Sequence, residues 1–213
     1  MPGNGAHWSE FIMAHGSLSE ATCMTWVRDV DPIEMLRRLG GQEPFPMRYL
    51  YEIDHEIGDL YNTDSEMPLW EPIGAIACQI SDNWALLVEP NGWAGTMAAD
   101  LAEISAGTEA VSIFWNVNAL SEIAISRDRQ AVAVISDVIM FAGDGKNPQC
   151  SLENVYGTDP GLVKDLVTEI NELPDLVWKP AAFRWAEKYT GAAIPVGLLD
   201  QSHPSTVFTK NRR

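Results

Sequence analysis

Two periods of apolar residues divide this chain. A period of two runs through TCMTWV (residues 22–27) and then through GAIACQI (74–80), where Ile76, Cys78 and Ile80 share a face. It continues in NWALLVE (83–89), with Trp84, Leu86 and Val88 on one side, and in EAVSIFWNVN (109–118), with Val111, Ile113, Trp115 and Val117. SEIAIS and QAVAVIS (121–136) follow, parted only by the charged turn Arg127-Asp128-Arg129, while Ser81-Asp82-Asn83 joins the strands at 74–80 and 83–89 as a hairpin. Connections this short require antiparallel neighbours, because a parallel crossover takes a dozen or more residues.

The helical period appears between and after these strands. In RDVDPIEMLRRLGG, Asp31 supplies an N-cap, Pro32 fits the first turn, Glu34 completes a capping box and Gly40 provides a left-handed stop. MRYLYEIDHEIGDL (47–60) places Leu50, Ile53 and Ile57 on one stripe, and TMAADLAEISAG places Met97, Leu101 and Ile104 on another. DPGLVKDLVTEINELP is bracketed by Asp159-Pro160 and Pro174, and PAAFRWAEKYTG runs from Pro180 to Gly191. The architecture expected is α+β, an antiparallel sheet of about five strands with helices packed mainly on one face. Residues 22–200 form the single domain in this reading, with an N-terminal extension at 1–21 and a C-terminal tail at 201–213; the length suits one core.

Charge narrows the partners. Thirty acidic against 14 basic residues give a net charge of −16, which repels phosphate backbones and anionic lipid and so argues against nucleic acid and membrane surfaces. A basic protein partner is expected, and a small molecule is compatible. The N-terminus lacks the cationic start and apolar centre of a signal peptide, and no apolar run is long enough to span a bilayer, so a cytoplasmic protein is expected. Cys23, Cys78 and Cys150 are odd in number and widely spaced, which gives neither a disulfide framework nor a zinc pattern.

The candidate chemistry centres on WALLVEPNGWAG (84–95). Glu89 leaves its strand on the face of Ala85 and Leu87, Pro90 breaks the ladder, Asn91-Gly92 turns the chain, and Trp93 follows. A carboxyl partly desolvated beside an indole has its pKa raised toward neutrality, which is how a general acid or base is made. The alternative is that Glu89 bonds turn amides and Trp93 plugs the sheet edge. Asn116 and Asn118 in WNVNA raise the same choice. Their amides either bind a ligand or partner, or hold the Glu89 loop, which is expected to lie against their strand.

Other motifs carry less. Asp29-Val30-Asp31 has the form of a metal-binding pair, yet the helix cap accounts for Asp31. AGDGKNP (142–148) lacks the spacing of a phosphate loop, and Asp54-His55-Glu56 is not a zinc-protease helix. No metal and no cofactor is indicated, and no serine or cysteine sits in a nucleophile elbow.

The segments WALLVEPNGWAGT, LAEISAGTEAVSIFWNVNALSEIAIS, YGTDPGLV and AEKYTGAAIPVGLLD, in this order across residues 22–200, resemble an uncharacterised actinobacterial, Streptomyces-type family known only as a domain of unknown function. The resemblance implies a shared fold and an actinobacterial source but supplies no activity. Two functions remain in view. The first is a non-enzymatic interaction domain, immunity-like or regulatory, that captures a basic partner. The second is a small cofactor-independent enzyme, of a specialised-metabolism type, that uses Glu89 as general acid or base in a Trp-lined pocket.

Overall fold

The strand nearest the N-terminus, β1 (Thr22–Arg28), lies at the centre of the sheet. In the computed structural model, which describes residues 15, 18, 20–63, 70–118, 120–136, 138, 155–172 and 178–211, β1 pairs on one side with β4 (Trp84–Pro90) and on the other with β5 (Glu109–Trp115). Outward from β4 come β3 (Trp70–Ser81), β9 (His203–Asn211) and β2 (Met47–Arg48). Outward from β5 come β6 (Ser121–Arg127), β7 (Gln130–Ser136) and β8 (Val155–Tyr156). Every neighbouring pair is antiparallel.

Among the described residues nine strands and five α-helices therefore replace the expected sheet of about five strands. β2 and β8 are two residues long, too short for any period to register. β9 falls inside the stretch read as a tail. Its HPSTVFTKN offers Pro204 and six polar residues in place of an apolar face, yet it pairs with β3 from Trp70↔Asn211 to Ile76↔Ser205.

Helices also cover both faces, not mainly one. On one face Met24, Trp26, Ile76, Leu86, Val111 and Ile113 pack beneath α2 (Leu50–Thr63), α4 (Lys164–Glu172) and α5 (Trp178–Thr190). On the other, Val27, Ala75, Ala77, Ala85, Leu87, Ala110 and Ala124 receive α1 (Pro32–Leu39) and α3 (Ala98–Ile104). The second face is built largely from alanine. Alanine reads weakly as a core residue in a strand pattern, but its small side chain lets a helix approach the backbone closely.

Local signals account for α1. Asp31 accepts from Ile33 N at 2.8 Å, Pro32 opens the helix, and Gly40 ends it at φ 112°, a left-handed conformation open to glycine. Glu34 does not close a capping box; it pairs with Arg37 and Arg38. The first face is anchored by an aromatic cluster in which Phe183 meets Trp26 and Trp115 edge-on, both at 5.9 Å between centroids, and Trp178 meets Trp115 at 6.4 Å. The Trp115 indole donates to Leu18 O at 2.9 Å. No helix among the described residues is long and apolar enough to cross a membrane.

Candidate functional site

Strand alternation turns Ala85, Leu87 and Glu89 of β4 toward the alanine-rich face, and the register sets Glu89 opposite Cys23 and Leu87 opposite Thr25. Thr25 in turn lies opposite Ser112 of β5. Four polar side chains on three adjacent strands thus gather on the alanine-rich face, and all four are fully buried.

Hydrogen bonds join them. Thr25 Oγ1 donates to Ser112 Oγ at 3.2 Å, and Cys23 Sγ lies 3.2 Å from the same oxygen. Glu89 is held from the other direction, where Oε2 accepts from Ala94 N and Oε1 from Gly95 N, each at 2.9 Å. Those amides belong to a short 3-10 turn, Ala94–Thr96, which follows the left-handed Asn91 (φ 55°) and Gly92 and covers the polar cluster. The fit requires glycine. A Cβ at Gly95 would stand 2.3 Å from Thr25 Oγ1 and 2.8 Å from Cys23 Sγ, and one at Gly92 would stand 2.8 Å from the Glu89 Cβ.

Burial pushes the Glu89 carboxyl up from 4.5 to about 7, against the pull of the Gly95 and Ala94 amides, with the Asp100 charge adding to the rise. Glu89 therefore changes charge near neutrality inside the protein. Burial, reinforced by the Glu89 charge, drives Cys23 well above its ordinary value. Its sulfur is a thiol at neutral pH and not a nucleophilic thiolate.

Trp93 is half-buried, and its carbonyl closes the turn by accepting from Thr96 N at 3.0 Å and Thr96 Oγ1 at 2.8 Å. Asn116 and Asn118 lie beyond the end of β5, which stops at Trp115. Asn116 Oδ1 accepts from Asn118 N at 2.9 Å and Leu120 N at 3.1 Å, so it shapes the loop that leads into β6, while Asn118 is exposed. β1 runs between β4, which carries Glu89, and β5, which leads into the asparagine loop. The turn Ala94–Thr96 reaches across to pack against β5, but no hydrogen bond joins either asparagine to Glu89.

Sequence reasoning missed Cys23, Thr25, Ser112 and Gly95. The signal available was a small polar residue at matching alternate positions of β1 and β5, visible only once those strands are known to be neighbours.

A second carboxylate is held by an aromatic hydroxyl. Tyr189 OH donates to Glu109 Oε1 at 2.7 Å, and Arg127 Nε reaches the same oxygen at 2.6 Å. Burial and the Glu109 carboxylate push the Tyr189 hydroxyl up to about 12. Among the described residues no group of His, Cys, Asp and Glu side chains could hold a metal ion. AGDGKNP and Cys150 lie outside the described residues, as does most of the 1–21 extension.

A family model described as a family of unknown function (DUF6461) matches residues 6–209. Nothing matches among the curated proteins or the solved structures.

Proposed function

The chain belongs to this family of unknown function, DUF6461, and on the geometry we propose that it is a small cofactor-independent enzyme with Glu89 as its general acid or base. One observation carries the reading: a buried carboxyl poised at about 7 is roofed by one short glycine-containing turn. A group that titrates near the working pH both takes and gives protons readily. Lifting the turn would expose Glu89 beside two hydroxyls and a thiol, which can orient a small polar substrate. Trp93 would flank that opening, and Asn116 and Asn118 would stand at its outer edge. The reaction class is proton transfer at an acidic C–H or O–H bond of the substrate, without a covalent intermediate.

The turn must therefore open without global unfolding. Native-state hydrogen exchange tests this without knowledge of the substrate. The Ala94 and Gly95 amides are expected to exchange through a local opening that is less costly than unfolding. Exchange of both amides only through global unfolding would end the enzymatic reading. A screen of metabolites for wild-type-dependent deuterium incorporation, repeated with Glu89→Gln, then tests the chemistry. Equal turnover by the variant would remove Glu89 from it.

The −16 charge favours a second reading, an immunity-like or regulatory domain that captures a basic protein. Exposed Met47 and Tyr49, just before the acidic α2, and Tyr51 in its first turn would supply the contact surface. Pull-down at low and at physiological salt checks it, and retention of no protein under either condition excludes it.

A further inference from the structure

Three of the chain's arginines converge where β1 and β6 end and β5 begins, at the end of β1 opposite the Glu89 cluster. Arg28, Arg38 and Arg127 line an open cleft of about 500 Å³ there, with Glu109 and Asp128 between them. Two of the three are already engaged. Arg127 is fixed by Glu109 and by Tyr189 OH, each at 2.6 Å, and Arg38 Nη1 donates to Ile104 O at 3.1 Å and Ala106 O at 2.8 Å, capping the end of α3. Arg28 is different. Its guanidinium makes only long ion pairs, Nε to Asp29 Oδ2 at 3.5 Å and Nη1 to Glu109 Oε2 at 4.0 Å, and donates no hydrogen bond to any described residue. Half-exposed at the cleft, it presents a planar fork of donors that matches a carboxylate.

The cleft adjoins another of opposite character. Asp29 and Val30 form the shared wall, and beyond it a cleft of about 720 Å³ is lined by Asp29, Asp31 and Asp82 with Gln79 and Ser81, and by no lysine or arginine. Both volumes lie in the range of small-molecule sites. The walls hold still: Gly107 N donates to Asp128 Oδ1 at 3.0 Å, Asp128 N to Thr108 O at 2.8 Å, and Asp29 N to Asn83 O at 2.8 Å. Asp29 and Asp128 both stand in the left-handed region, at φ 50° and 43°, a conformation that costs energy in a residue with a Cβ.

An arginine fork beside a carboxylate trio selects for a dipole. We propose that the two clefts together bind a small ligand of basic amino-acid type, with its carboxylate on Arg28 and its distal cation among Asp29, Asp31 and Asp82. A dianion such as phosphate is disfavoured, since the carboxylates beside the arginines and the −16 net charge oppose it. The site lies away from Glu89 and stands whether or not Glu89 is catalytic.

Calorimetric titration with L-lysine and L-arginine tests the assignment, with cadaverine as the analogue lacking the carboxylate, norleucine as the analogue lacking the distal cation, and inorganic phosphate as the competing anion. At least one of the two amino acids is expected to saturate, and cadaverine and norleucine to bind at least about tenfold more weakly. Arg28→Gln should abolish binding and Asp82→Asn weaken it, at unchanged thermal midpoints, while the remote Lys188→Gln binds as the wild type does. Equal binding of cadaverine or of norleucine would overturn the dipolar assignment, as would tighter binding of phosphate. Absence of saturation with both amino acids, or retention of binding by Arg28→Gln, would overturn the site.

Discussion

Glu89 and Gly95 meet as anchor and socket: Oε1 accepts the Gly95 amide at 2.9 Å, and a Cβ at position 95 would stand only 3.1 Å from that same oxygen. The missing side chain at 95 is what allows the turn to close over the carboxyl.

Gly95→Ala should therefore destabilise the fold by about 1 to 3 kcal/mol, the cost of forcing a methyl group into a packed interior. Its nearest neighbours are Thr25 Oγ1 and Cys23 Sγ on β1, which the central strand holds in place. Urea denaturation checks this, and an unchanged midpoint would show that the turn rides up at no cost.

The pH dependence follows from the Glu89 shift. Its folded pKa, about 7, lies above the ordinary 4.5, so the folded state holds a proton that the unfolded chain has released between those values. The associated stability is fully present below about 4.5, is lost as pH rises through 7, and amounts to roughly 3 kcal/mol. Glu89→Gln lacks this titration. The stability of the wild type minus that of the variant should fall across pH 4.5 to 7 and level off above it; a difference independent of pH would contradict the shift.

Two tryptophans should separate sharply. Trp115 is buried, touches three aromatic side chains or cations and donates to Leu18 O, so Trp115→Ala should cost about 3 to 5 kcal/mol. Half-buried Trp93, whose carbonyl and not its ring closes the turn, should cost about 1 to 2 kcal/mol on replacement by Ala, in proportion to the smaller apolar area it buries. Denaturation midpoints of both variants decide, and comparable losses would place the Trp93 ring in the core.

Asn116→Ala should destabilise by about 1 to 2 kcal/mol, because its oxygen accepts from two loop amides, and Asn116→Asp, which keeps an acceptor there, should recover most of the loss. Asn118→Ala should leave stability within about 0.5 kcal/mol, as expected for an exposed side chain. Thermal midpoints of the three variants report on this directly. A neutral Asn116→Ala would free that residue for a ligand.

What could be read in advance was local. Asp31, Pro32 and Gly40 bound α1 through bonds made within a few residues, and the alternation in β4, β5, β6 and β7 survives because each buries a continuous apolar stripe. β9 escaped because an outer strand with Pro204, Ser205 and Thr206 has no such stripe, and the second helical layer escaped because alanines mark its contact face. The site was half legible. Glu89 and its turn occupy one short stretch, but Cys23 and Ser112 reach it only through pairings between β1 and strands some 60 to 90 residues later, which no nearby spacing encodes.

That central position of β1 also governs how the chain can be made. Its ladder partners are β4 and β5, so a nascent chain exposes Met24 and Trp26 until Trp115 has left the ribosome, roughly 5 to 20 s later at ordinary elongation rates. Non-local pairing of this kind slows folding, since the loops must close before the contacts reward them. A chaperone that shields the emerging first strand should raise the soluble yield, and a circular permutant that begins at β3 and restores β1 after β9 should fold along a different route to the same sheet.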